Sequence, residues 1–121
     1  MDGNLNRELV IIGGGPAGLM AAESALANGA SNVSVYERMG SVARKFLIAG
    51  KGGLNLTHSE PMPQFIQRYL PQTRSIGHWL REFGPDAVRA WAAGLGVETF
   101  VGSSGRVFPH DLKAAPLLRA W

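Results

Sequence analysis

The sequence predicts an α/β fold that opens on a βαβ unit, and three observations in its first third carry that expectation. A β-branched, nearly all-apolar run at 8–12 ends in a glycine cluster; small helix formers fill 16–27; and an alternating β-branched and aromatic run at 32–37 ends in an acid. The pattern changes from strand to helix and back to strand within the length of one parallel crossover, a connection that is right-handed as a rule.

Each element has its own reason. Residues 8–12 suit a strand buried on both faces of a parallel sheet, and Gly13 stops it. Pro16 fits the first turn of the next helix, and Asn28 with Gly29 supplies a left-handed cap after Ala27. Residues 32–37 form the second strand. Residues 42–58 read as a loop, because Gly50, Gly52 and Gly53 stand against a regular element throughout, and Pro61 and Pro63 extend it. Short helices are predicted over 64–70, 75–83 and 85–95, with prolines near their starts and Gly84 and Gly96 near their ends. Strands return at 97–101 and 106–108, joined by Gly102-Ser103-Ser104-Gly105 as a hairpin. Residues 112–121 read as the start of a helix in which Pro116 is allowed only in the first turn. The chain thus reads as the N-terminal part of something longer, with a nucleotide-binding unit and glycine loop at 1–60 and an incomplete helical and hairpin segment at 61–121.

Composition narrows the function. With 45% hydrophobic and 17% charged residues in 121, the chain is globular rather than disordered. Its 12 Lys and Arg exceed its 9 Asp and Glu, but the arginines are scattered singly, so no nucleic-acid partner is expected. The absence of cysteine removes disulfides, thiolate zinc sites and a redox-active dithiol, and points to a cytoplasmic protein. The opening MDGNLNRE has neither the basic start nor the apolar core of a signal peptide, and no apolar run has membrane-spanning length, so no membrane partner is expected.

The chemistry is carried by GGGPAG. Gly13, Gly15 and Gly18 complete G-x-G-x-x-G: the first permits the turn out of the strand, the second lets backbone approach a pyrophosphate, and the third lets helix and strand pack closely. Pro16 and Ala17 lie between them at the helix start, where free N–H groups and the helix dipole favour an anion. Glu37 closes the second strand at the spacing of a ribose-binding acid, where it would accept both adenosine hydroxyls and repel a 2′-phosphate; Arg38 beside it works the other way. This Rossmann-like unit serves FAD and NAD alike. Residues 43–58, ARKFLIAGKGGLNLTH, could fold back toward the pyrophosphate, with Arg44 and Lys45 neutralising phosphate, the backbone of Gly50 and Gly52 passing close to a planar ring, and Asn55 and Thr57 donating or accepting hydrogen bonds. A solvated turn with surface cations explains the same residues equally well.

Together, GGGPAGLMAA, YER, ARKFLIAGKGGLNLTH and GLGVETFVGSSGRVFP resemble the N-terminal part of the BaiN-like and aminoacetone-oxidase-like NAD(P)/FAD-dependent oxidoreductases, and the resemblance covers almost the whole chain. That family's form is close to GRK-x-L-x-SGGGRCN-x-TN, which Arg44, Lys45, Leu47, Gly50, Gly52, Asn55 and Thr57 match, while Lys51, Gly53, Leu54 and His58 depart from it. The resemblance implies a flavoprotein of the two-dinucleotide-binding-domain type, with FAD as cofactor, a small organic substrate, and NAD(P)H or oxygen as second partner. Whatever the family's Arg-Cys does has no counterpart at Gly53 and Leu54.

Other residues carry structural readings. His58, His78 and His110 show no metal-ligand spacing, so no metal is expected; His58 adjoins the glycine loop but reads as a surface histidine. Trp79 and Trp91 read as core or interface residues, and Arg106 as part of the hairpin. Without a nucleophile–base set or paired carboxylates, no catalytic residue is assigned. Two alternatives stand beside the flavin enzyme: a non-catalytic nucleotide-binding fragment, prone to self-association through exposed sheet edges, and an NAD-binding dehydrogenase domain.

Overall fold

A computed structural model describes residues 8–121, so the reading of the first seven residues lies outside the described part. The chain forms two compact units, one ending at Ile48 and the other spanning Ala49–Trp121. Thr57 and His58 are paired into the second unit's sheet.

The first unit is Rossmann-like. Strand β1 (Leu9–Ile12) runs parallel to β2 (Val33–Tyr36), with Leu9 opposite Val33 and Ile12 opposite Tyr36, and α1 (Pro16–Ala27) is the crossover. Apolar β-branched side chains favour the strands, while Ala, Leu and Met favour the helix. Asn28 caps α1, Gly29 follows it at φ +94, and the Ala30 N–H closes back on the Ala25 carbonyl at 3.0 Å. One expectation is corrected: β1 is not buried on both faces. Val10 is 46% exposed and Ile12 81%, because two strands and one helix cover only part of the sheet.

The 42–58 stretch is more regular than its glycines imply. Arg44–Ala49 is a helix, α2, continued by a 3-10 turn at Gly50–Gly52. Residues 44–49, RKFLIA, are mostly good helix formers, so the glycines punctuate the segment rather than dissolve it.

In the second unit, β3 (Thr57–His58), β5 (Arg106–Pro109) and β4 (Thr99–Val101) form an antiparallel sheet in the order β3-β5-β4. The expected hairpin is present: Phe100 opposes Phe108, and the Gly102 N–H donates to the Arg106 carbonyl at 2.8 Å. The expected helices appear as α3 (Met62–Gln67), α4 (Thr73–Glu82) and α5 (Pro85–Gly94), and α6 (Ala114–Ala120) places Pro116 in its first turn. The core lies here, where Leu54, Ala92, Val107, Ala114 and Leu117 are buried. Trp91 and Trp121 meet edge to face at 4.9 Å between centroids. Trp79, read as a core or interface residue, is 62% exposed and so is not core, because α4 faces α3 through Gly77, whose Cα faces Ile66.

Candidate dinucleotide-binding site

Three glycines between β1 and α1 have three different surroundings. Gly13 sits at φ +103, a left-handed conformation that turns the chain out of β1. At Gly18 an added Cβ would collide with the Gly13 carbonyl oxygen, so helix and strand are in backbone contact there. At Gly15 a Cβ would meet nothing within 4 Å, and the residue is the N-cap of α1 without a capping side chain. The backbone is therefore bare on the side where an anion would approach, and the N–H groups of the first helical turn lack intrahelical partners.

Gly14, which the glycine pattern leaves unspecified, is held through both its N–H and its carbonyl. Its N–H donates to Glu37 Oε2 at 2.9 Å, and its carbonyl accepts from the Ala43 N–H at 2.7 Å. A Cβ on Gly14 would lie 2.7 Å from Val42 Cγ1. Gly14 and Ala43 are both buried, and Ala43 adopts φ +57, unusual for a residue with a side chain.

Glu37 ends just beyond β2 with both carboxylate oxygens engaged, Oε1 accepting the Met39 N–H at 2.9 Å and Oε2 that of Gly14. These donors, Met39 first and Gly14 second, hold the carboxyl below its ordinary value of 4.5, aided by Arg38, so it stays ionised. Each oxygen keeps a lone pair for a ribose hydroxyl. Arg44 opens α2 directly after Ala43, and its Nε–H donates to Ser41 Oγ at 3.1 Å. Lys45 is exposed beside it. Within this unit, residues 42–43 close on the glycine loop.

The remaining expected residues lie in the second unit. Gly50 packs on α6, a Cβ there falling 2.6 Å from Ala114 Cβ, whereas Gly52 is open. Asn55 is exposed, and Thr57 pairs with Val107 in the sheet. Leu54, one of the departures from the family form, is core. His58 Nδ1 accepts the Glu60 N–H at 3.0 Å, and its Nε2 lies 3.1 Å from the Ser104 carbonyl. An acceptor at Nδ1 leaves the proton on Nε2 for Ser104, so His58 fastens the hairpin tip to β3. Among the described residues, no group of three or more His, Asp or Glu could hold a metal.

Residues 7–121 match the HI0933-like protein Rossmann domain. This chain belongs to that family. It is a family of flavin oxidoreductases, whose fold is flavin-binding. The chain is also 30% identical over 110 residues to the 3-dehydro-bile acid delta(4,6)-reductase of Clostridium scindens, a match covering 89% of this chain and 26% of that protein. It therefore spans about a quarter of that curated relative. No helix among the described residues is long and apolar enough to cross a membrane.

Sequence reasoning missed Gly14, Val42 and Ala43. The triple glycine was the available signal: a G-x-G-x-x-G motif needs nothing particular at its second position, so a third glycine there calls for a neighbour.

Proposed function

We propose that this chain is the FAD-binding part of a flavin-dependent oxidoreductase of the BaiN-like kind. The observation that carries the reading is the Gly14–Glu37 hydrogen bond, which joins the glycine loop to the acid that would face the ribose. Gly13, Gly15, Pro16, Ala17 and Gly18 would frame the pyrophosphate, Glu37 would take the adenosine ribose with Arg38 beside it, and Arg44 and Lys45 would add positive charge. Gly50, Gly52, Asn55 and Thr57 would serve the rest of the cofactor. When bound, the flavin supplies hydride chemistry; the chain's residues bind and orient it. In the whole protein, a small organic substrate exchanges hydride with FAD, and NAD(P)H or oxygen is the second partner. The relative's name makes steroid-like acids the first substrates to try. A cytoplasmic location belongs to the proposal and rests on the cysteine-free composition.

A two-stranded sheet, in which β1 and β2 pair only with each other among the described residues, favours a second reading for the chain on its own, as a nucleotide-binding piece without turnover that self-associates through its sheet edge. An absorption spectrum of the desalted chain, before and after adding FAD, separates the outcomes. A retained two-banded flavin spectrum supports FAD binding by these residues. Failure to retain FAD alongside stoichiometric NAD binding would replace the proposal with a dehydrogenase domain.

A further inference from the structure

The peptide that faces the proposed pyrophosphate is oriented from outside the glycine motif. A trans peptide sets its C=O and the following N–H in opposite directions. The Gly14 N–H points to Glu37, so the Gly13 carbonyl points the other way, toward Gly18, where an added Cβ would strike it. By the same rule, the Gly14 carbonyl points to the Ala43 N–H at 2.7 Å, and the Gly15 N–H therefore points away from Ala43. No acceptor for the Gly15 N–H is present among the described residues, and the space at Gly15 Cα is open.

The turn that delivers Ala43 is itself braced. Glu37 Oε1 holds the Met39 N–H, Ser41 Oγ accepts from Arg44 Nε, and Val42 Cγ1 lies against the Gly14 Cα. Ala43 is buried and left-handed.

We infer that Ala43 is the positioning residue for the phosphate end of this site: its N–H, by holding the Gly14 carbonyl, turns the Gly15 N–H out toward the ligand's phosphates. This rests on the dinucleotide reading above. Ala43 touches no ligand and acts through the 14–15 peptide, so it selects for a phosphate at that position and is indifferent to the nucleoside.

Amide hydrogen exchange on the full chain tests this without mutation, using ADP and adenosine as probes. The Ala43 N–H should exchange slowly in every state. The Gly15 N–H should exchange freely alone and with adenosine, and at least about tenfold more slowly with ADP. ADP that shifts the Glu37 carboxylate resonance while leaving Gly15 exchange unchanged would overturn the inference alone. ADP that perturbs neither Glu37 nor the glycine loop would overturn the dinucleotide reading and the inference with it. Replacing alanine 43 by lactate removes the N–H and keeps the methyl. ADP affinity should fall about tenfold, the scale of one lost hydrogen bond, with adenosine affinity within about twofold. Equal losses for both ligands would mark a merely structural role. Should the ester variant not fold, the exchange measurement on the unaltered chain still decides.

Discussion

Alanine at Gly18 and alanine at Gly15 should fail in opposite ways. At Gly18 the new methyl falls on the Gly13 carbonyl oxygen, and backbone cannot rotate aside as a side-chain end would. Relief requires moving α1 off β1, an overpacking cost of about 3 kcal/mol. The gain in helix propensity from glycine to alanine returns about 1 kcal/mol. The net loss of about 2 kcal/mol lowers the melting temperature by on the order of 10 °C in a domain of this size. At Gly15 the backbone is at φ −80 and ψ −177, open to any residue, and a Cβ meets nothing within 4 Å. Stability there should change by less than about 0.5 kcal/mol. The methyl instead occupies the approach to the bare backbone, and FAD affinity should drop by about tenfold or more, roughly 1.4 kcal/mol. Thermal melts followed by circular dichroism, paired with FAD titrations by flavin fluorescence, read both quantities. A Gly18→Ala melt within about 1 °C of the parent would refute the contact argument. A Gly15→Ala variant that keeps its FAD affinity would refute the placement of the phosphates.

The same geometry sets three further outcomes. Because the Met39 and Gly14 N–H groups depress the folded Glu37 pKa below 4.5, its stabilisation is complete above that pH and is lost as pH falls through the folded value; melting curves below pH 4.5 should show Glu37→Gln flatter than the parent, and parallel curves would deny the role. Gly14→Ala should destabilise through Val42 and be partly rescued by Val42→Ala, with a coupling of about 1 kcal/mol in a denaturant double-mutant cycle; additive effects would mean that Val42 is not the obstacle. Leu117→Ala, at a fully buried site in α6, should cost about 3 kcal/mol in urea unfolding, and a loss under about 1 kcal/mol would show that α6 does not hold the second unit's core.

Most of the fold was legible because its punctuation is local. Gly29 ends α1 for the same conformational reason that it can be read as a cap, and Gly102 to Gly105 join β4 and β5 because those residues turn cheaply. Helix α2 was obscured by the glycines at its C-terminal end. Gly50, Gly52 and Gly53 outweighed a six-residue run of fair helix formers too short to show a period. Trp79 shows the other limit. Apolar spacing identifies a face that favours burial, but Gly77 and Ile66 decide which side of α4 meets α3, and a glycine adds no apolar signal of its own.

The candidate site divides along the same line. Gly13 and Gly18 could be read from spacing because each answers a constraint that the strand-to-helix turn imposes on its own backbone. Gly14 and Ala43 could not, since each is constrained by the other across a long stretch of sequence: the loop needs a glycine because Val42 crowds it, and Ala43 is left-handed where its N–H meets the Gly14 carbonyl. Gly50 carries the complementary lesson. It fits the expectation of a backbone bared for a planar ring, yet Ala114 already excludes a side chain there. A packing requirement and a ligand requirement write the same residue. Only substitutions whose effects on stability and affinity are measured separately can tell them apart, which is why Gly15, with no neighbour to satisfy, is a diagnostic position.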